Sequence, residues 1–301
     1  MGDPFLVDWS AIPFREVYRQ AKPAVSFELF PPKTDEGRAS LFAHLPELAS
    51  CRPAYITCTY GAGGTSRDRT LNLLREVRQL YPGIPAGAHL ACLGATRAYL
   101  EAFLEEAVSL GVDRIVALRG DPPRNGVEFQ PAPDGFRHAV ELVRLIRETR
   151  PDLGVIVAGY PETHPEAPSM AKDIDYLKEK VDAGADAIIT QMFFENIDFL
   201  RFRDRCVAAG ITVPIIPGIL PVTSLPQALR MTELCGARMN PELVRRLEAH
   251  AGDEEGQYAV GVYYAARQVE ELLTHGVPGV HFYVLNKSRA AALICRALVL
   301  F

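Results

Sequence analysis

Short apolar runs alternate with amphipathic segments along most of the 301-residue chain. Segments such as 70–80 and 97–110 carry apolar residues at i, i+3 and i+4, a spacing that predicts helices. Gly111, Gly184 and Gly210 stand where such helices should end. The apolar runs are short and rich in β-branched residues, which predicts strands. Eight of them are found, at 24–30, 54–59, 85–90, 114–118, 154–158, 187–190, 213–219 and 279–285.

This alternation predicts an α/β protein with a parallel sheet, because nearly continuous apolar strands separated by helices are typical of βαβ units. For eight units in about 300 residues we expect a single (β/α)8 TIM barrel that occupies residues 1–301. We expect additional helices near both termini. They are an amphipathic lead-in helix within 1–22 and two helices, 240–250 and 255–275, before the last strand.

A polar residue or a glycine stands at each predicted strand exit, and the first seven are separated by 27 to 39 residues. Since a barrel enzyme builds its active site from the carboxyl ends of its strands, this pattern predicts a large ligand site there. Glu28 is notable because it lies within the apolar stretch SFELF, where a carboxylate must be paired, protonated or functional. The exits are Glu28, Thr59, His89, Asp121, Tyr160, Gln191, Gly218 and Asn286.

Composition narrows the classes of partner and compartment. A net charge of -5 with a pI near 5.9, and no run of basic residues, argues against nucleic acid or an anionic membrane as the main partner. No apolar stretch approaches the roughly 20 residues that span a bilayer, and no secretory signal is found, so we expect a cytoplasmic protein. The six cysteines form no C-x-x-C pair and the histidines show no zinc-binding spacing, so we expect reduced thiols and no metal.

Ten motifs, in this order along the chain, resemble those of the methylenetetrahydrofolate reductase family in its short bacterial form, which lacks the regulatory domain. The resemblance runs from about 25 to 295. It rests on SFELFPPK, TYGAGG with RDRT, AHLAC, ALRGDPP, GYPETHPEA, KVDAGAD, ITQMFF, FRDRC, IPGILP and HFYVLNK.

The resemblance implies a TIM-barrel enzyme that reduces 5,10-methylenetetrahydrofolate to 5-methyltetrahydrofolate. It implies a non-covalent FAD that is reduced by NADH or NADPH and then passes hydride to the folate, with both substrates using one site in turn. The sequence does not distinguish NADH from NADPH. Relatives form dimers or tetramers, so a homo-oligomer is expected.

Two residues match the family's catalytic positions. Glu28 corresponds to the general acid that protonates a ring nitrogen of the folate, and burial on an apolar strand is expected to raise its pKa. Asp121 corresponds to the aspartate that hydrogen-bonds the pterin and stabilises positive charge on it. From the residues alone, Glu28 could instead be a buried salt-bridge partner and Asp121 a turn residue before proline.

The positions that match the family's cofactor contacts follow the strands. His89 alone could be a core histidine, and Asp173 and Tyr176 could be surface residues of a helix. The GAGG run permits close backbone approach, but it is not a dinucleotide fingerprint. The matched positions are Thr59, Tyr60, Ala62, His89, Arg119, Gly120, Asp121, His138, Tyr160, His164, Ala167, Asp173, Tyr176 and Lys180.

The substrate-binding set that the resemblance implies is Glu28, Asp121, Gln191, Gln227, Met231 and Lys287.

Some positions depart from the family pattern. Met231 replaces an aromatic residue of some relatives, and Lys287 replaces an arginine, which removes the bidentate fork. Glu179, Tyr176 and His138 also differ from some relatives, so the phosphate contacts are expected to depend more on Lys180 and backbone N–H groups.

Three other classes of protein fit parts of the pattern. A folate-binding methyl transferase on a similar barrel would bind pterin but not FAD. A Schiff-base aldolase would need a lysine inside a strand, and the predicted strands carry none. A partner-binding barrel without activity would not account for polar groups at so many strand exits.

Overall fold

The computed structural model describes residues 7–60, 67–120, 132 and 134–300. All strand pairings in it are parallel. The strands are β1 (Ala24–Leu29), β2 (Tyr55–Cys58), β3 (Ala86–Ala91), β4 (Val112–Leu118), β5 (Gly154–Gly159), β6 (Ala187–Thr190), β7 (Ile215–Ile216), β8 (Gly218–Ile219) and β9 (Gly279–Tyr283).

The sheet order, β7-β6-β5-β4-β3-β2-β1-β9-β8, brings the two ends of the sheet to one short stretch of chain. β7 pairs with β6, and β8 pairs with β9. Only Pro217 separates them, and its carbonyl accepts a hydrogen bond from the His281 amide at 3.0 Å. The predicted (β/α)8 barrel is therefore confirmed. The expected single strand over 213–219 is wrong in one respect, because a proline cannot donate to the ladder and divides it.

Helices follow the strands as the periodicity predicts. The helices expected at 240–250 and 255–275 are present, and Gly111, Gly184 and Gly210 all adopt positive φ at helix ends, where glycine is favoured. The helices are α1 (Phe14–Val17), α2 (Asp35–Ser50), α3 (Arg67–Leu80), α4 (Arg97–Ser109), α5 (Ala139–Thr149), α6 (Met170–Asp182), α7 (Asn196–Ala208), α8 (Leu225–Cys235), α9 (Pro241–Glu248), α10 (Glu254–Thr274) and α11 (Arg289–Ala297).

Successive strand residues belong to different cores, as the two-residue period of a strand requires. In β5, Val155 packs in the large core between strands and helices. Its neighbour Ile156 packs in a smaller cluster with Tyr55, Val116 and Ile189, which is the barrel interior. This interior cluster fills the amino-terminal part of the barrel and leaves the carboxyl ends of the strands for the site.

The N-terminal segment closes that interior from below. Trp9, Phe14, Val17 and Tyr18 are buried in the same cluster as the inward-facing strand residues. The helix expected within 1–22 is not continuous in the described part. A 3-10 turn at Trp9–Ala11 is followed by the one-turn helix α1. Pro13 explains the break, because proline disfavours helical geometry in the residue before it and lacks an N–H.

Three further findings concern membrane spans, metal sites and cysteines. Within the described ranges, no helix has both the length and the apolar character needed to cross a bilayer. The same ranges contain no group of three or more His, Cys, Asp or Glu residues arranged to hold a metal ion. All six cysteines are free, and five of them are buried.

Candidate active site

A cavity of about 1210 Å³ opens at the carboxyl ends of the strands. Pockets for drug-sized ligands usually measure about 300–1,000 Å³, so this one has room for a large ligand or for two ligands in contact. Most of the predicted site residues line it. They are Glu28, Thr59, Tyr60, His89, Arg119, Gly120, His138, Tyr160, His164, Ala167, Asp173, Tyr176, Lys180, Gln191 and Met231.

Four predicted residues remain, and only two of them, Gln227 and Lys287, are described residues that do not line the cavity. Ala62 and Asp121 lie outside the described residues. Lys287 is exposed, just after the left-handed pair Leu285 and Asn286 that turns the chain at the end of β9. Gln227 is half-buried on α8, one helical turn before Met231. Residues four apart share a helix face, so Gln227 extends the face that Met231 presents to the cavity.

Glu28 lies on β1 with its carboxylate between two buried imidazoles. Its Oε2 atom is 3.5 Å from His89 Nε2 and 3.7 Å from His281 Nε2. The Glu28 side chain keeps 21% of its surface exposed, whereas the two histidines are buried. The carboxylate is therefore accessible from the cavity and contacted by nitrogen atoms from below.

These imidazoles reverse the pKa shift predicted for Glu28. Burial acts to raise the pKa of Glu28, but the interactions with His281 and His89 lower it by more, so its pKa lies below the ordinary value. The expectation of a raised pKa is thus wrong for the ligand-free protein. Burial also lowers the pKa of His89 to about 4, so this imidazole is neutral at neutral pH.

Arg119, at the end of β4, is held by a carboxylate from the loop that follows the neighbouring strand β5. Its two terminal nitrogens bind both oxygens of Glu166, with Nη2 at 2.8 Å from Oε1, and its Nε donates to the Gly120 carbonyl. This bidentate pair lowers the pKa of Glu166. Gly120 has a φ of +90°, and a Cβ there would meet the Ala91 side chain at 3.0 Å. The carboxyl end of β4 therefore presents to the cavity the backbone of Gly120, which has no side chain, and the guanidinium of Arg119.

Lys180 and Asp173 lie on α6 beside the loop that follows β5. Lys180 Nζ donates to the Ala158 carbonyl at 2.9 Å, and burial lowers the pKa of this lysine to about 8. Asp173 Oδ2 accepts a hydrogen bond from the His164 amide at 2.8 Å. The His164 ring in turn packs edge-on against Tyr160, with 4.6 Å between ring centroids. Asp173 is thus half-buried and fixes the loop, which the surface interpretation did not anticipate.

Two further predicted contacts, Gln191 and Tyr60, are also oriented by hydrogen bonds. The Gln191 Oε1 atom accepts from the Met192 amide at 2.9 Å. The Tyr60 and Tyr99 hydroxyls are 2.6 Å apart, and both rings line the cavity. Such bonds restrict the side chains before any ligand binds, which reduces the ordering that binding requires.

Sequence reasoning did not single out His281, Tyr283, Tyr99 or Glu166, which also line the cavity. The first two could have been found by register. In a parallel pair, Ser26 lies opposite His281 and Glu28 lies opposite Tyr283, so all four side chains face the barrel interior. Tyr283 completes the floor by donating from its hydroxyl to the Thr190 carbonyl at 2.7 Å.

Known proteins resemble this chain along nearly its whole length. A 5,10-methylenetetrahydrofolate reductase of Salmonella typhimurium is 41% identical over 275 residues, which cover 91% of this chain and 90% of that protein. The Escherichia coli protein of the same name is 40% identical with the same coverage. Methylenetetrahydrofolate reductase (NADH) 1 of Arabidopsis thaliana is 37% identical over 92% of this chain, which spans 48% of the plant protein.

A solved structure shares the fold. It is an uncharacterised protein from Clostridium thermocellum that binds two copies of 5-methyl-5,6,7,8-tetrahydrofolic acid. Its TM-score is 0.68 at 14% identity, over 95% of this chain and 99% of that one. The family model for methylenetetrahydrofolate reductase matches residues 13–299. With this match and relatives about 40% identical, the chain belongs to the methylenetetrahydrofolate reductase family.

Proposed function

We propose that this protein reduces 5,10-methylenetetrahydrofolate to 5-methyltetrahydrofolate, using a non-covalent FAD that NADH or NADPH reduces. The observation that carries the proposal is the cavity at the strand ends with Glu28 in its floor. Membership of the family supplies the reaction, and the geometry supplies a carboxyl group, a large space and oriented polar side chains for it. The six free cysteines suit the reducing conditions of the cytoplasm.

The residues of the cavity fit a flavin dinucleotide. Arg119 and Lys180 provide cationic groups for a diphosphate, and the backbone at Gly120 permits close approach. The rings of Tyr60 and Tyr160 provide apolar surface for planar groups. His89 Nε2 is buried and has no hydrogen-bond partner within the described part of the chain, so a polar ligand atom could satisfy it. When bound, the flavin supplies hydride transfer between nicotinamide and folate.

The two cationic groups, Arg119 and Lys180, each lie near a carboxylate of the protein, Glu166 and Asp173 respectively. Arg119 is paired with Glu166, so a ligand phosphate has to share or replace that carboxylate. Lys180 is within the field of Asp173, which favours its charged form against the effect of burial. We propose that ligand phosphate adds to this effect and restores the full charge of Lys180.

Glu28 is proposed as the proton donor to the folate. Its pKa is low in the ligand-free protein, where 21% of its side chain remains exposed to the cavity. A ring system seated over it would exclude that water and favour the neutral acid, since loss of water destabilises a carboxylate. The carboxyl group could then hold a proton beside the ring nitrogen that accepts it.

The other family contacts remain proposals. Asp121, which follows Gly120, would stabilise positive charge on the pterin. Gln191 would contact pterin and nicotinamide through its amide, and Met231 and Gln227 would contact the folate along one face of α8. Lys287 would contact the folate tail only where the tail leaves the cavity, since its side chain is exposed.

We also propose a homo-oligomer, either a dimer or a tetramer. Large apolar side chains are exposed, among them Val207 on α7, Leu234 on α8 and Val299 in the turn after α11, at 58–74% exposure. Apolar surface of this kind is suited to contact between subunits. Sedimentation velocity of the purified protein would test the proposal, and a monomer at micromolar concentration would contradict it.

The substitution Glu28→Gln tests the role of the carboxyl group. An amide keeps the size of the side chain but cannot donate a proton as an acid. We expect the folate half-reaction to slow by roughly 10²–10⁴-fold. Flavin reduction by NADH or NADPH should change far less, because it needs no proton from Glu28. Anaerobic stopped-flow absorbance measures the two half-reactions separately.

Glu47→Gln is the matched control. That carboxylate binds Ser288 and Arg296, away from the cavity, so both half-reactions should keep their rates. An equal loss in the two half-reactions of the Glu28 variant would exclude its role as the acid.

A further inference from the structure

A buried serine and histidine lie directly below Glu28. Ser26 and His281 are opposite each other on β1 and β9, two residues before Glu28 and Tyr283 on the same strands. Ser26 Oγ is 2.8 Å from His281 Nδ1, and each residue is 1% exposed. The pair therefore has its hydrogen-bonding groups fixed by the barrel and shielded from water.

This contact determines which imidazole nitrogen faces the carboxylate. His281 Nδ1 is occupied by the serine, and Nε2 is the atom that lies 3.7 Å from Glu28 Oε2. If the Ser26 hydroxyl donates to Nδ1, the single proton of a neutral imidazole is on Nε2, directed at Glu28. The serine thereby selects the tautomer that can donate to the carboxylate.

Aromatic neighbours prevent the imidazole from turning away. The His281 ring stacks on Tyr55 at an interplanar angle of 24° and meets Tyr283 edge-on, with 5.4 Å between centroids. No described side chain makes a hydrogen bond to its Nε2, and the nearest carboxylate oxygen is Glu28 Oε2. A small movement of either group would shorten the 3.7 Å separation to a hydrogen bond.

Most titratable groups that face Ser26, His281 and Glu28 from the surrounding elements are uncharged at neutral pH. Burial raises the pKa of Tyr55, Tyr283 and Cys58, so each is neutral at neutral pH, and His89 is neutral as well. Arg114 is the cation below, stacked on Tyr55 and bound to Asp113. The other groups that face it are Tyr18 and Tyr160.

We propose that His281, held by Ser26, is a positioning residue that fixes the Glu28 carboxyl group by its Oε2 atom and governs its uptake of a proton. Oε1 then remains available to the ligand. The inference rests on the proposed role of Glu28 and extends it, since the acid would be a three-residue unit and not an isolated carboxyl group. His281 itself donates no proton to the folate in this account.

The test compares three variants in the folate half-reaction as a function of pH. His281→Leu removes the Nε2 donor and should slow this half-reaction by about 10- to 100-fold. Its pH profile should move to higher pH by about one pH unit, because burial then acts on Glu28 without the opposing imidazole. His281→Gln keeps a donor amide and should recover most of the rate. Ser26→Ala should shift the profile in the same direction by less.

Ser288→Ala provides a matched control. Ser288 is equally buried and is 3.0 Å from His44 Nδ1, but that pair does not line the cavity. Its loss should affect stability and leave the pH profile of the folate half-reaction in place. A His281→Leu profile with an unmoved midpoint, or a glutamine variant no better than the leucine variant, would overturn the inference.

A second measurement needs no ligand. In ¹⁵N-histidine NMR spectra, the signals missing in His281→Gln identify His281. We expect the Nε2-protonated tautomer at neutral pH and a change in its signals in both Ser26→Ala and Glu28→Gln. The Nδ1-protonated tautomer would overturn the inference.

Measuring Glu28→Gln in parallel separates the two proposals. If this variant loses both half-reactions equally, the role of Glu28 fails and the inference with it. If it is selective while His281→Leu shows no shift in pH, only the inference fails.

Discussion

At the scale of single residues, the pKa of Glu28 depends on its two histidine neighbours as well as on its burial. Glu28 is on an apolar strand, where desolvation acts to raise its pKa. The structure adds His89 and His281, which are remote in sequence and adjacent in space, and together they lower it. A sequence shows that a carboxylate is buried, but the partners that decide its charge come from register and barrel closure.

Lys180 gives a prediction about pH and stability. Burial lowers the pKa of Lys180 in the folded protein to about 8. Lysine in an unfolded chain titrates near pH 10.4, so the unfolded state binds more protons between about pH 8 and 10.4. The free energy of unfolding of the ligand-free protein should therefore gain a contribution from Lys180 as pH rises through this window. In Lys180→Met this contribution should disappear.

Urea unfolding of both proteins across the window measures the difference. Lys178→Met is the control, because Lys178 pairs with Asp182 at the outer part of the same helix and should leave the rise in place. Parallel curves for wild type and Lys180→Met would show that Lys180 has no such role.

At the scale of elements, the pattern of apolar residues predicted the strands and most helix ends, because both depend on local chemistry. Gly111, Gly184 and Gly210 end helices as expected, and β1 ends before Pro31. Two errors also have local causes that were visible in the sequence. Pro217 divides one strand, and Pro13 interrupts the expected N-terminal helix. In both cases a proline within the apolar pattern removes a backbone donor.

What the sequence could not show is where the N-terminal segment packs. Phe14 lies beneath the barrel, with its ring 4.9 Å from the Arg114 guanidinium carbon. Gly154, at the start of β5, leaves the space for it, since a Cβ there would lie 2.4 Å from a Phe14 ring carbon. This contact joins residues that are 140 positions apart, so no local pattern predicts it.

Because Phe14 and Gly154 are in contact, the effect of a substitution at Gly154 on the free energy of unfolding should depend on the side chain at position 14. Gly154→Ala should destabilise the protein by about 1–3 kcal/mol, because the added methyl group overpacks the barrel interior. In a Phe14→Ala background the same change should cost much less, which a double-mutant cycle by urea unfolding would reveal. Gly83→Ala is the control with open space around its Cβ, and it should be nearly neutral. Additive effects at the two positions would contradict the packing.

At the scale of the whole molecule, the packed core and the candidate active site lie at opposite ends of the barrel. The amino-terminal end is filled by the interior cluster and the N-terminal segment, and the cavity occupies the carboxyl end. The order of motifs indicated most of the cavity wall, because the ends of parallel strands meet there. Gln227 and Lys287 were predicted from resemblance alone and lie off that wall, and Asp121 lies outside the described residues.

The central claim is that one cavity holds a flavin and admits the nicotinamide and the folate in turn, and anaerobic stopped-flow absorbance of the FAD-loaded protein tests it most directly. NADH or NADPH should bleach the flavin bands, and 5,10-methylenetetrahydrofolate added afterwards should restore them with formation of 5-methyltetrahydrofolate. A protein that is colourless and does not bind added FAD, or one whose reduced flavin is not reoxidised by the folate, would contradict the account.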